Sequence, residues 1–211
     1  MQATPRCGSV QQFIEPEAAS RFGLTQGLMM RPTRIGIAVF VLAVSVGPAY
    51  TVSGYSSASN LISELAAQNT QGNYFMSAAF IALGAAIAFD GSRSFIRSLL
   101  PFITFGSFML LAGVFGHRPI TFGVPYNSLT HSAHSALATA AGVSISAAFI
   151  WQAVREQSFW RRVQAASLAI LCFALPLAML SMPEYQGAIQ RLMYAAVFLW
   201  LWIHYPNNAH I

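Results

Sequence analysis

The sequence predicts an all-α integral membrane bundle, and three observations carry that expectation. Of 211 residues, 55% are hydrophobic and 8% are charged, against about 25% charged in an ordinary soluble domain. Apolar runs recur at lengths near the roughly 20 residues that cross a bilayer as a helix. The connections alternate between arginine-rich and arginine-poor, the pattern that the positive-inside rule gives a multi-pass protein. The chain therefore divides into a flexible cytoplasmic tail, residues 1–30, and a six-helix transmembrane domain, residues 31–211. Short loops and cytoplasmic N and C termini complete the expected fold.

The tail is mixed and polar, with Pro5, Glu15, Pro16, Glu17 and Arg21 and no helical stripe. Met29 and Met30 stand directly before the basic stretch Arg31 to Arg34, so translation is expected to start at one of them or at Met1. The first apolar run, Ile35 to Val52, lacks a clean small-x-small cleavage site and reads as a retained helix. Five further runs follow: Tyr74 to Phe89, Leu99 to Gly116, His131 to Val154, Val163 to Met182 and Arg191 to Tyr205. Arg93 and Arg97 lie in one connection, and Arg155, Arg161 and Arg162 in another, which places both in the cytoplasm. The opposite connections carry two arginines, Arg118 and Arg191. Trp151, Trp160, Trp200 and Trp202 lie toward the cytoplasmic ends, where amphipathic rings favour the interface. In the fourth run His134, Ala138, Gly142 and Ser146 recur every fourth residue. Such a stripe lets helices approach closely in lipid, so this helix is expected at the centre with His134 pointing inward.

All 11 basic side chains are arginine, and the net charge is +5. They sit in ones and twos at the ends of apolar runs, with no basic stripe interleaved with aromatics, so no nucleic-acid partner is expected. Membrane lipids are the expected partners, through anionic headgroups. Cys7, in the tail, and Cys172, in an apolar run, do not make a disulfide framework or a cysteine-zinc site.

Polar residues gather on the extracytoplasmic side. In the first outer connection Ser56, Asn60, Ser63 and Glu64 fall at helical spacing beside apolar Leu61, Ile62 and Leu65. A short interfacial helix over the mouth of the bundle is expected there. In the second, His131 and His134 lie on one helical face and His117 ends the preceding helix. Three imidazoles are compatible with zinc, which binds neutral imidazole and keeps an open position when catalytic. Structural hydrogen bonding across helices, or haem ligation, would use the same histidines. Arg191 opens the last helix, with Glu184 just before it. Its charge is read as paired with Glu64 or Glu184, or as binding an anionic headgroup. His204 and His210 lie at the opposite end and are read as interfacial.

With these residues on view, the chain resembles the bacterial membrane family known as domain of unknown function 998. Tyr55, Ile62-Ser-Glu-Leu65, Thr130-His-Ser-Ala-His134 and Gly187 with Gln190-Arg191 carry the resemblance, over about residues 35 to 205. It implies a six-helix domain in a bacterial inner membrane and marks Ser63, Glu64, His131, His134 and Arg191 as recurring polar positions. Where members often carry a Phe-Pro-x-Asp-like stretch, this chain has Phe115-Gly-His-Arg118, so a role for His117 would be its own. The resemblance implies no activity. A more remote similarity, to seven-helix membrane hydrolases of the ceramidase and progestin-receptor type, is an analogy of fold and chemistry.

Together these residues lead to an outward-facing polar pocket of Asn60, Ser63, Glu64, His131, His134 and Arg191 that binds a lipid or another amphiphile. The alternative is a metal-dependent membrane hydrolase acting on a lipid, with zinc on His131, His134 and His117. A small transporter is the third class, although no midplane charge marks a path.

Overall fold

A computed structural model of the chain describes residues 31–93 and 99–205. These residues form six antiparallel helices without a strand: α1 (Pro32–Tyr50), α2 (Asn73–Arg93), α3 (Leu100–Val114), α4 (Ser128–Arg155), α5 (Phe159–Ser181) and α6 (Gln186–His204). Short 3-10 segments at Ile62–Ala66 and Pro183–Tyr185 interrupt two connections. Helices α1, α2, α4 and α5 are long and apolar enough to cross a membrane, α3 is a shorter apolar helix of 15 residues, and α6 carries Gln186, Gln190 and Arg191 in its first turns. The tail with Cys7, and also Arg97 and His210, lie outside the described residues.

The two ends of the bundle are fixed by different polar contacts. At one end the Thr33 amide and hydroxyl donate to Asp90 Oδ2 at 2.8 and 2.6 Å, so a buried carboxylate from the end of α2 caps the start of α1. Beside it the Tyr205 hydroxyl donates to Ile87 O at 2.8 Å, and Arg34 Nε donates to Trp202 O at 3.0 Å. At the other end Asn127 caps α4, its Oδ1 accepting from the amides of Leu129 and Thr130 at 2.9 and 3.2 Å. Between the ends, Phe40 of α1 meets Phe80 and Phe198 edge-on at 5.0 and 5.3 Å, and Phe102 of α3 stacks on Trp200 at 5.5 Å.

Helices α2 and α3 pack most intimately, and glycine permits it. A Cβ at Gly84 would fall against Gly106 O and Leu110 N, and one at Gly106 would lie 2.7 Å from Gly84 O. Without a hydrophobic drive between helices in lipid, such close van der Waals contact is what associates them. Gly84 and Gly91 on α2, and Gly106 and Gly113 on α3, repeat at an interval of seven residues. This paired repeat is the small-residue signal for tight packing in the chain.

Several expectations change at this point. The stripe on α4 does not bring a helix close: a Cβ at Gly142 would meet nothing within 4 Å, and Ala138 is exposed. Trp200 is buried in the core, not at an interface, because it fills the space between Phe102 and Phe149. Asp90 belongs to α2, not to the following connection, since its carboxylate has a helix N-terminus to cap. The last helix starts at Gln186, five residues earlier than expected, because Arg191 is satisfied within it and does not mark its end. The outer segment is helical only over Ile62–Ala66 and enters the bundle, where Ile62 and Leu65 are buried, instead of lying across its mouth.

A bulky side chain at Gly84 should therefore separate α2 from α3. Gly84→Val is expected to destabilise by about 1–3 kcal/mol, the usual cost of overpacking, and to lower the melting temperature in detergent. Gly142→Ala should leave that temperature unchanged.

Candidate functional site

The connection from Tyr55 to Leu61 is held by three residues of α6. Arg191 Nη1 donates to Ser57 O at 2.8 Å, Asn60 O at 3.0 Å and Gly187 O at 3.0 Å. Its Nη2 donates to the Tyr55 hydroxyl at 2.6 Å, and that hydroxyl in turn donates to Leu61 O at 3.1 Å. Gln190 Oε1 accepts from the Ile62 amide at 2.7 Å. Gly187 lets the strand of loop approach: a Cβ there would fall against Asn60 O and within 2.8 Å of Ser57 O, and the Ala188 amide donates to Ala58 O at 2.9 Å. Gly187, Gln190 and Arg191 thus act as one clamp, which only a glycine followed by a planar five-donor cation can make.

Arg191 is accordingly not paired with Glu64 or Glu184. The ion pair between described residues is Arg161 with Glu156, at 3.2 Å near the other end of the bundle. Glu64 uses Oε2 to accept from the Leu61 amide at 2.7 Å, capping its own short turn. Burial lifts the Glu64 carboxyl above the ordinary carboxylate range, against the opposing pull of the Leu61 amide, Asn60 and Arg118. Burial likewise lifts the Tyr55 phenol, although Arg191 pulls it down, so it stays a neutral hydroxyl. Ser63 is buried, and Asn60 Oδ1 accepts from the Ser56 amide at 2.8 Å.

The histidines form a second group, at the junction of α3 and α4. His134 is buried, its Nδ1 2.8 Å from Ala112 O and 2.7 Å from Phe115 O. Carbonyl oxygens only accept, so Nδ1 carries the proton and stitches α4 to the frayed end of α3. His117 Nδ1 lies 2.9 Å from Arg118 O and is protonated for the same reason. Burial pushes the His117 imidazole down to about 4, and the neighbouring His134, His131 and Arg118 charges add to that, while its bond to Arg118 O opposes it. His131 Nδ1 accepts from the Arg118 amide at 3.3 Å. The His117 ring meets those of His131 and His134 nearly perpendicularly, at centroid separations of 4.6 and 5.4 Å.

The structure therefore gathers Asn60, Glu64 and Arg191 around one loop, and His117, His131 and His134 around another. Gln68 joins the two loops: its amide N–H donates to His117 O at 2.9 Å, and its side chain exchanges hydrogen bonds with Gly116 O and with both backbone groups of Asn127. No group of three or more His, Cys, Asp or Glu side chains among the described residues is arranged to hold one metal ion.

Sequence reasoning missed a cavity of about 420 Å³ between α4, α5 and α6. Its wall includes Ala138, Gly142 and Ser146 of the small-residue stripe, Pro176 of α5, and Gln190 and Tyr194 of α6. None of Asn60, Ser63, Glu64, His131, His134 or Arg191 lines it. The stripe was the available signal, since small side chains that no neighbouring side chain reaches leave a void.

Arg191→Lys should release the outer loop, because one ammonium cannot serve four oxygens in a fixed plane. A loss of about 3 kcal/mol is expected from hydrogen bonds to a charged group. Limited proteolysis between Tyr55 and Leu61 should accelerate correspondingly.

No curated protein and no solved structure matches the chain. Residues 27–205 match the family described as protein of unknown function, DUF998. With that match spanning most of its length and containing every described helix, the chain belongs to the DUF998 family.

Proposed function

We propose that this is a six-span membrane protein, with both termini in the cytoplasm, that binds a lipid or other amphiphile in the cavity between α4, α5 and α6. The apolar helices support residence in a membrane, and the bacterial inner membrane is the one that the family resemblance favours. Arg31, Arg34, Arg93, Arg155, Arg161 and Arg162 flank the helix ends on one side, against Arg118 and Arg191 on the other, which supports the orientation. The 15-residue α3 covers only about 22 Å at 1.5 Å per residue, less than the roughly 30 Å hydrocarbon core. Its place among α2, α4 and α6 supports it as a span nonetheless, because non-helical backbone is tolerated at membrane depth where protein surrounds it.

The single observation that carries the binding function is the cavity itself. Its volume of about 420 Å³ falls within the usual range for ligand sites, and such sites are mostly apolar with a few placed polar groups. This replaces the polar pocket of Asn60, Ser63, Glu64, His131, His134 and Arg191 as the proposed seat of the ligand. Those residues instead shape the roof and the α3 to α4 junction beside it.

A metal-dependent hydrolase is the second reading, and one observation favours it. His117 and His134 both commit Nδ1 to a carbonyl and leave Nε2 available, which is how outer hydrogen bonds orient metal-binding imidazoles. A stoichiometric metal in the purified protein would be needed to sustain it.

Orientation is tested with Cys7 and Cys172 replaced by serine and a membrane-impermeant maleimide. Phe122→Cys should react in intact cells, and Trp160→Cys only after permeabilisation; the reverse would overturn the topology. Occupancy is tested by native mass spectrometry. The purified protein should carry a stoichiometric amphiphile that Gly142→Leu removes without unfolding the protein, because that side chain grows into open space. An empty protein, or one whose bound species survives Gly142→Leu, would refute the binding site.

A further inference from the structure

One end of the cavity differs chemically from the rest, and Gln190 makes the difference. Its side chain faces the Ile62 amide at 2.7 Å while also forming part of the cavity wall. A backbone N–H only donates, so the atom facing it is the Gln190 oxygen, and the NH2 is directed elsewhere. That NH2 has no hydrogen-bond partner among the described residues and is not sealed from the surface. Tyr194, one turn further along the same face of α6, also lines the cavity; its hydroxyl reaches the Met109 thioether at 3.7 Å, a weak acceptor. The other hydroxyls of the wall are spent, since Thr139 and Ser146 donate to Ser135 O and Gly142 O, both at 2.9 Å.

No charged side chain lines the cavity. The nearby guanidinium, Arg191, already serves three carbonyls and the Tyr55 hydroxyl. An anion placed here would therefore lack a counterion in a low-dielectric wall, which is costly. A neutral acceptor oxygen would complete the Gln190 amide and leave the rest of the ligand in apolar surroundings.

We propose that the cavity selects an uncharged long-chain acyl ester, with its carbonyl oxygen accepting from the Gln190 NH2 and its hydrocarbon chain lying against Ala138, Gly142 and Phe173. This rests on the cavity being an amphiphile site and adds the ligand's chemical class. Gln190 is then the residue that distinguishes an ester from a plain hydrocarbon or a carboxylate.

The test uses the full chain in nanodiscs, labelled with a diazirine-bearing fatty acid methyl ester and read by peptide mass spectrometry. Competitors are methyl palmitate, hexadecane and palmitate. Labelling should fall on α4, α5 and α6, and methyl palmitate should compete about tenfold better than either rival, the ratio expected for one hydrogen bond. Gln190→Glu keeps an oxygen for the Ile62 amide but removes the donor; it should abolish the preference for ester over hexadecane. Gly142→Leu should abolish labelling by filling the site. If hexadecane or palmitate competes as well as the ester in the unaltered protein, ester selection is overturned while the binding site stands. If Gln190→Glu folds and keeps the preference, ester selection is likewise overturned. If no label reaches the cavity at all, the amphiphile-binding reading fails, and ester selection with it. Should Gln190→Glu not fold, the ranking of the three competitors in the unaltered protein decides the matter.

Discussion

At one end of the bundle the loop from Tyr55 to Leu61 is pressed against α6, and its carbonyl groups at Ser57 and Asn60 take their donors from that helix. Arg191 supplies them. A guanidinium offers five donors in one plane, and here the two on Nη1 are shared among three carbonyls while one on Nη2 goes to a phenol. The arrangement works only because Gly187 has no side chain to hold the loop away. With the loop fixed, the Ile62 amide is fixed, and so is the direction of the Gln190 amide that answers it. From Ile62 the chain descends into the core through Leu65, then turns to Gln68, whose side chain ties it to Gly116 and Asn127. The cap of α4, the histidine junction and one wall of the cavity are therefore connected through a single arginine.

The cavity has its own cause lower in the bundle. Helices α2 and α3 approach until backbone touches backbone at Gly84 and Gly106, and aromatic rings close the space between α1, α3 and α6. On the far side, α4 turns Ala138 and Gly142 toward α5 and α6, and neither carries enough side chain to fill the gap. Pro176 sits inside α5 at the same level and removes one backbone donor from that helix. Packing is thus uneven, tight where glycines face each other and open where small residues stand across a gap from α5 and α6. In a bilayer an open lateral space is not a void in water, because hydrocarbon can enter it at little cost.

This unevenness explains what could be read from the sequence and what could not. Run lengths located the six described α-helices, because lipid tolerates few other ways of burying backbone. Charges inside the runs were harder, since a charge reads as a boundary unless its partner is known. Asp90 has a helix N-terminus to cap and Arg191 has a loop to hold, and both partners are distant in sequence. The residues of the outer site were legible as a set, and Gly187 with Gln190-Arg191 does prove to be one device. Their joint purpose was not, because carbonyl groups are silent in a sequence: all the strong bonds of Arg191 except that to Tyr55 go to backbone. The alanine and glycine stripe on α4 was seen and assigned to helix contact; whether small residues mark an approach or a gap depends on what faces them. Trp200 failed for a similar reason, since the same ring suits an interface or an aromatic core.

The charge that looked most like a ligand site spends several of its donors on the protein itself, and this bears on the chemistry that the fold can offer. An outward opening lined by a free arginine, a carboxylate and two imidazoles would attract a charged headgroup, with strength falling as salt rises. A cavity walled by alanine, glycine and aromatic rings has no such lever, and its affinity comes from apolar burial and from what a few neutral donors can reach. Gln190 sits where these two regimes meet: its amide oxygen belongs to the clamp, and the residue also lines the cavity. A side chain placed in that way would couple the order of the loop to a ligand bound in the cavity. On the proposed reading a ligand would engage the NH2 with the loop already in place, because the Ile62 amide holds the oxygen of the same group.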